Sequence, residues 1–211
     1  MNKKKIIALL IVGGLTIGAV GGSFAWFTSS DSVMNKFSTV GVKDPLDLNE
    51  DAGVKVDEIF TEAFNVLPGE AVNKDVRVES TAGYNQYVRV KFEKSFNTEE
   101  LNTDDNLKLI ELNFKEDAFT TGNWFDGGDG YYYYKIIVEA ENEVENEDNK
   151  EDVDVTKYLL DSVTLSSKAG NDMKNVRFTV NAIAEGIQAT KEAVEEVWGV
   201  TVDGNGQLAP K

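Results

Sequence analysis

The chain has 211 residues and a formal net charge of −16, and it contains neither histidine nor cysteine. The negative charge repels nucleic acid and anionic lipid, so neither is an expected ligand. Without histidine and cysteine, a His-Glu-x-x-His zinc site, a Ser-His-Asp triad and any disulfide are excluded. We therefore expect no enzymatic activity, although a pair of carboxylates could still catalyse hydrolysis.

The first 25 residues have the pattern of an export signal. Three lysines at positions 3–5 precede an apolar stretch that begins at Ile6, and Ser23-Phe24-Ala25 offers small residues where a signal peptidase cuts. Cleavage between Ala25 and Trp26 would give a secreted chain, located in the extracellular matrix or at the cell surface. The alternative is a retained anchor, because residues 6–25 are just long enough to span a bilayer.

Residues 26–42 form a segment with two aromatic residues at its tip. Cleavage would expose Trp26 and Phe27, and large exposed aromatic side chains are a liability in a soluble monomer. The segment can pack back on its own domain, or it can add as a strand to a neighbouring copy and build a filament. The apolar residues available for either contact are Trp26, Phe27, Val33, Met34, Phe37 and Val40.

Residues 43–211 are expected to form one β-sandwich domain. Short segments in which apolar and polar residues alternate are separated by turn residues such as Pro68-Gly69. This pattern predicts an all-β, jelly-roll-like β-sandwich. The predicted strands cover residues 37–43, 54–60, 74–80, 86–94, 107–114, 131–139, 161–167 and 175–187.

One or two short helices are predicted at the periphery of the sandwich. Thr98 can cap a single turn over residues 98–102, and Thr190 can cap a helix over residues 191–198. The second helix would bury one face against the sandwich, and the alternative is that this face docks into a groove of a partner. The apolar residues on that face are Ala193, Val194, Val197 and Trp198. The polar residues 202–211 that follow are expected to fray.

Three segments of the domain are candidates for ligand binding. Residues 139–154 contain nine acids and one lysine and are expected to form a solvated loop, with weak calcium binding as the alternative. Residues 126–130 read as a glycine turn, because the spacing of an EF-hand is absent. In the tyrosine run 131–134, one alternating pair is expected in the core. The other pair would form a strand face, an interface patch or a platform for glycans.

No residue receives a catalytic, cofactor-binding or metal-ligating assignment. The many carboxylates have no apolar setting that would raise a pKa, so none is singled out as an acid or a base. Lys91, between Val90 and Phe92, is the strand lysine to examine for an isopeptide crosslink. Such a crosslink requires a buried lysine and an asparagine or aspartate beside a protonated carboxyl group.

Nine short motifs occur along the chain in an order and with a spacing that match a known family. They are Gly21-Gly-Ser-Phe-Ala-Trp-Phe-Thr28, Asn35-Lys-Phe-Ser-Thr-Val-Gly41, Leu67-Pro-Gly-Glu70, Lys74-Asp-Val-Arg-Val-Glu79, Gln86-Tyr-Val-Arg-Val-Lys91, Asn123-Trp-Phe125, Asp129-Gly-Tyr-Tyr-Tyr-Tyr-Lys135, Ala182-Ile-Ala-Glu-Gly-Ile-Gln188 and Trp198-Gly199. In these motifs the chain resembles the TasA/camelysin family of exported biofilm-matrix proteins of Gram-positive bacteria, especially its clostridial branch.

The resemblance implies a jelly-roll β-sandwich, cleavage by the dedicated signal peptidase of the family, and assembly into extracellular fibres. In such pilus-like fibres the N-terminal segment of one subunit completes the sheet of the next, and residues 26–42 are the matching stretch. The implied partners are further copies of the chain, the signal peptidase and other matrix proteins. Some family members are labelled metalloproteases, but the missing histidine and zinc motif argue against carrying that activity over.

The sequence thus predicts a secreted structural subunit of biofilm matrix fibres that polymerises by donor-strand complementation. The alternative is a cell-surface adhesin or a module that binds glycans or calcium through the tyrosine run or the acidic loop. A secreted protease of the camelysin type is the third reading. No cofactor, no nucleic acid and, after cleavage, no membrane is expected as a partner.

Overall fold

The computed structural model describes residues 28–38, 53–60, 66–140, 153–170, 173 and 176–210. The predicted export signal, residues Trp26, Phe27 and Val40, and most of the acidic run lie outside this part. The strands are β1 Thr28–Ser38, β2 Val54–Phe60, β3 Ala71–Ser80, β4 Gln86–Phe96, β5 Ile110–Phe114, β6 Trp124–Asp126, β7 Tyr132–Tyr134, β8 Leu160–Leu165, β9 Arg177–Gln188, β10 Thr201–Val202 and β11 Leu208–Ala209. The helices are α1 Asp104–Leu107 and α2 Lys191–Val197, and a 3₁₀ turn covers Glu99–Leu101.

Two antiparallel sheets make up the sandwich. One has the strand order β1-β9-β4-β7-β6, and the other has the order β2-β3-β8-β5, while β10 and β11 pair as a separate hairpin. The prediction of an all-β, jelly-roll-like sandwich with short peripheral helices is confirmed.

Alternating burial explains why the central strands form. Along β9, every second residue from Phe178 to Gly186 is buried, and the residues between them are partly exposed. Strand β3 alternates in the same way from Val72 to Ser80. The buried side chains of both sheets meet in one core that includes Val76, Val90 and Leu160, none of which is exposed. Burial of this apolar surface is the main stabilising contribution.

A second, smaller cluster lies on the face of the five-stranded sheet that points away from the other sheet, which we call the outer face. Helix α2 and the β10–β11 hairpin pack there on side chains of β4, β7 and β9. This outer cluster consists of Tyr87, Tyr133, Ile187, Ala193, Val194, Trp198, Val200 and Leu208.

The C-terminal part of the chain differs from expectation. The prediction that residues 202–211 fray is wrong for the described residues 202–210, because Leu208 is buried and its N–H donates to the Lys135 carbonyl at 2.7 Å. The Tyr87 hydroxyl also donates to the carbonyl of Gly206 at 2.8 Å. These contacts hold the hairpin on the outer face.

Helix α2 begins as predicted but exposes one of its apolar residues. The Thr190 hydroxyl accepts a hydrogen bond from the Ala193 N–H at 3.3 Å, which caps the helix. Ala193, Val194 and Trp198 are buried, whereas the Val197 side chain is 48 % exposed. The prediction that Val197 is buried against the sandwich is therefore wrong.

Candidate functional site

Strand β1 occupies the edge of the five-stranded sheet. It pairs antiparallel with β9 over eleven residues, from Thr28 opposite Ile187 to Ser38 opposite Arg177, without a shift of register. On its other side β9 is held by β4 over a further eleven residue pairs. Without β1, the edge of β9 would present a row of unpaired N–H and C=O groups, which is a template for another strand.

Within this one chain, residues 28–38 thus pair with their own domain. Val33, Met34 and Phe37 lie in β1 opposite Ala182, Asn181 and Phe178. Of the strand predicted at 37–43, only the first two residues belong to β1, and residues 39–43 lie outside the described part. The strand begins nine residues earlier than the alternation of apolar residues indicated.

Asp31 ties β1 to the other sheet. Its side chain is 8 % exposed. One carboxylate oxygen accepts a hydrogen bond from the Val56 N–H of β2 at 2.8 Å, and the other accepts from the N–H of Ser32 at 2.7 Å. Hydrogen bonds to a charged, buried acceptor are among the stronger ones in proteins. Asp31 therefore fixes the position of β1 against both sheets.

Two glycines leave room for Ser29 of β1. A Cβ on Gly186 would overlap the Gln86 Oε1 atom and would lie 2.7 Å from Ser29 Oγ and from Val54 Cγ1. A Cβ on Gly53 would lie 2.9 Å from the Cβ of Ser29, and the φ of +87° at Gly53 also favours glycine. The backbones of β1, β2 and β9 can approach closely only because neither position carries a side chain.

Gln86 connects the two sheets beneath Ser29. It is fully buried, and its Nε2 donates to the Gly53 carbonyl and to the Ser80 hydroxyl, both at 2.8 Å. The Ser29 hydroxyl donates to Gln86 Oε1 at 3.4 Å. We call the edge of β9 that pairs with β1, together with Gly53, Val56, Gln86 and Gly186, the strand seat. These groups receive β1.

A cavity of about 520 Å³ lies on the outer face beside the start of β1. Its wall combines the first residues of β1 with the end of α2 and with an ion pair between β4 and β9. The residues that line it include Thr28, Ser30, Arg89, Glu185, Val197 and Trp198.

Arg89 is held in that wall by charge and by aromatic rings. Its Nε and Nη2 donate to Glu185 Oε2 at 2.9 and 2.6 Å. The guanidinium carbon lies 3.8 Å from the centre of the Tyr131 ring and 4.7 Å from that of Trp198. These rings and Glu185 fix the position of the guanidinium in the wall of the cavity.

The tyrosine run divides between the two faces of its sheet. Tyr134 lies in the main core, and Tyr133 lies in the outer cluster with no exposed surface. The Tyr133 hydroxyl donates to Asp129 Oδ2 at 2.6 Å, and burial together with this hydrogen bond raises the pKa of Tyr133 to about 12. Trp198 packs edge-on against the Tyr133 ring. Because Tyr133 is fully buried, its ring has no surface to offer a ligand.

The loop over residues 126–130 is a turn held by its own aspartates. Asp126 Oδ1 accepts from the Gly128 N–H at 2.8 Å, and Asp129 Oδ1 accepts from the Tyr131 N–H at 3.0 Å. Among the residues that the structure describes, no group of three or more acidic side chains is arranged to hold a metal ion. Weak calcium binding by the acidic run stays a prediction, because residues 141–152 lie outside that part.

The buried lysine of the domain is not the predicted one. Lys91 is 31 % exposed and pairs with Glu93 at 2.8 Å, so the buried setting required for a crosslink is absent there. Lys74 has no exposed surface, and its Nζ lies 2.7 Å from Glu58 Oε2. Burial lowers the pKa of Lys74, and the carboxylate of Glu58 opposes that shift. Lys74 stands in register with Val72 and Val76 on the buried face of β3, and this is the signal that sequence reasoning missed.

Of the predicted site residues, Ala25, Trp26, Phe27 and Val40 lie outside the described part of the chain. Sequence reasoning also missed the strand seat itself. Glycines and a glutamine in strand patterns carry no distinctive signal until the fold brings them together.

Comparison of the chain with protein-family models, with curated proteins and with solved structures found no match. In the described part of the chain, no helix combines the length and the apolar composition that crossing a membrane requires.

Proposed function

We propose that the protein is a secreted structural subunit of extracellular matrix fibres and that it polymerises by passing β1 from one copy to the strand seat of the next. The observation that carries this proposal is the eleven-residue pairing of β1 with an otherwise open edge of β9. The resemblance to the TasA/camelysin family supports the matrix role.

Exchange between copies conserves the contacts that hold β1. The hydrogen bond from Val56 to Asp31 and the fit of Ser29 between Gly53 and Gly186 join β1 to the rest of the domain. A β1 supplied by another copy can make the same contacts, which is the general basis of domain swapping. The balance between the closed monomer and the fibre therefore depends on the connection between β1 and β2.

The length of that connection permits both arrangements. The connection leaves β1 at Ser38 and has to end at Gly53, which lies beside Ser29 near the opposite end of β1. It must therefore span the length of about nine strand residues, or about 30 Å. Residues 39–52 can extend over roughly 50 Å, which exceeds the return path. The same connection can instead carry β1 away to a neighbouring copy. A head-to-tail exchange of this kind gives an open filament unless its rotation closes a ring.

The net charge of the chain supports the part of the proposal that concerns free copies before assembly. A net charge of −16 makes free copies repel one another, which keeps them soluble before assembly. Main-chain hydrogen bonds along β1 would then supply the affinity for the seat, and Ser29 and Asp31 would supply the register.

The proposal is tested by comparing two purified chains in the electron microscope. A chain that begins at Trp26 is expected to form filaments whose length grows with concentration. A chain that lacks residues 26–42 is expected to remain a single particle, because it keeps the seat but has no strand to donate. Equal assembly by both chains would contradict the proposal.

A second candidate function, recognition of a glycan at the cell surface, is supported by a different cavity. It has a volume of about 390 Å³ and is lined by Phe119, Tyr132 and Lys135 among other residues. Phe119 is 41 % exposed, and an aromatic wall with a few polar groups is typical of small-molecule sites. Calorimetric titration with cell-wall oligosaccharides tests this candidate, and Phe119→Ala is expected to abolish any heat of binding.

A further inference from the structure

We propose that the cavity beside the start of β1 is the docking site for the indole of Trp26, carried by whichever β1 occupies the strand seat. The inference rests on the proposed function only for the question of which copy supplies that tryptophan.

The faces of β1 indicate where residue 26 would lie. Thr28, Ser30 and Ser32 are exposed, whereas Asp31 is buried between the sheets. Even-numbered residues of β1 therefore lie on the outer face, because side chains alternate along a strand. The register places Thr28 opposite Ile187. A continuation of that register by two residues would bring residue 26 opposite Ala189, on the same face.

The outer face at this position has an apolar surface that the described residues leave uncovered. Val197, near the end of α2, is 48 % exposed, and it lines the cavity together with Trp198 and Thr28. Residue 26 is only two positions before Thr28, so its side chain needs no long connection to reach this wall.

The chemistry of the cavity suits a large aromatic ring. Its volume of about 520 Å³ falls in the range of pockets that enclose small organic groups. Val197 offers apolar contact, and Arg89 already lies within stacking distance of Tyr131 and Trp198. An indole in the cavity would add to this series of rings and would gain burial of its apolar surface against Val197.

The neighbouring aromatic residue serves as a natural contrast. Phe27 lies one position away, so the alternation assigns it to the opposite face of the strand, together with Ser29 and Asp31. The proposal thus predicts different environments for two adjacent aromatic side chains, and the two can be compared directly.

The test uses the full chain, isolated after export from producing cells, and exploits the absence of cysteine. One variant combines Trp26→Cys with Val197→Cys, and its matched control combines Phe27→Cys with Val197→Cys. A short bis-maleimide is added to each. We expect the first pair to crosslink at least about tenfold faster, because residues 26 and 197 would share one face and bridging depends steeply on distance and direction. Equal rates, or faster linking of the control, would overturn the proposal.

The size of the product separates this inference from the proposed function. Preferred linking between copies, seen as a ladder on a denaturing gel, supports both. Preferred linking within one chain supports the docking of Trp26 and contradicts strand exchange. Fibres that form without any preference for position 26 contradict the docking of Trp26 and leave strand exchange intact.

Discussion

At the scale of single residues, Asp31 joins β1 to the neighbouring sheet, and it is a buried carboxylate on a strand with few apolar residues at its start. Replacement by alanine leaves the Val56 N–H buried without its partner, because that N–H donates to Asp31 at 2.8 Å. We expect Asp31→Ala to lower the free energy of unfolding by about 1–3 kcal/mol. Urea denaturation measures this change.

The matched control for Asp31 is its neighbour Ser30, which lies on the same strand and is exposed. Ser30→Ala is expected to change the free energy of unfolding by less than about 0.5 kcal/mol. If the two variants unfold at the same urea concentration, Asp31 does not anchor β1.

Tyr133 makes the free energy of unfolding depend on pH in the alkaline range. Burial and the hydrogen bond to Asp129 raise its pKa from 10 to about 12 in the folded chain. Between these values the folded state keeps a proton that the unfolded state has released. The stabilising contribution of Tyr133 is therefore complete below pH 10 and is lost as the pH rises toward 12.

We expect Tyr133→Phe to unfold with a shallower loss of stability across that alkaline range than the unaltered chain. Urea titrations at several pH values measure the two slopes. Parallel curves for the two proteins would show that the Tyr133 proton is not coupled to folding.

At the scale of elements, Gly186 of β9 decides whether β1 can enter its seat. A Cβ at this position would meet Gln86, Ser29 and Val54 at once, and two of these belong to the sandwich itself. We expect Gly186→Ala to cost about 1–3 kcal/mol of stability through overpacking and to slow the assembly of filaments. The control is Gly204→Ala, where a Cβ would find open space. Unchanged assembly of Gly186→Ala would contradict the proposed close approach.

The strands that sequence reasoning predicted are those that bury apolar residues on one face. The bounds of β2 agree at both ends with the prediction of 54–60, and β9 agrees to within two residues. The alternation of apolar residues did not mark the start of β1, because its inward-facing residues, the partly buried Ser29 and the buried Asp31, are polar. They are satisfied by Gln86 and Val56, which lie far away in sequence.

The wrong predictions near the C-terminus have the same cause. The β10–β11 hairpin has few apolar residues, and it is ordered by hydrogen bonds from the Tyr87 hydroxyl and the Leu208 N–H to distant carbonyls. Val197 matches the apolar stripe of α2, but its side chain is 48 % exposed in the folded domain. Both outcomes depend on contacts between elements, which local patterns do not encode.

At the scale of the assembled protein, strand exchange requires that β1 comes from one copy and its seat from the next. The chain has no cysteine, so introduced thiols can report this directly. Ser32 on β1 and Ile183 on β9 are register partners. Opposite residues of paired strands lie within the Cα and Cβ range of a disulfide.

The decisive measurement is therefore the disulfide formed in fibres of the variant that carries Ser32→Cys and Ile183→Cys. Strand exchange predicts a ladder of covalent multimers on a denaturing, non-reducing gel. The control pairs Ser32→Cys with Thr179→Cys, which stands about 13 Å further along β9 and is expected to link poorly. Fibres whose subunits migrate as fully crosslinked monomers would contradict the account, because β1 would then have remained in its own chain.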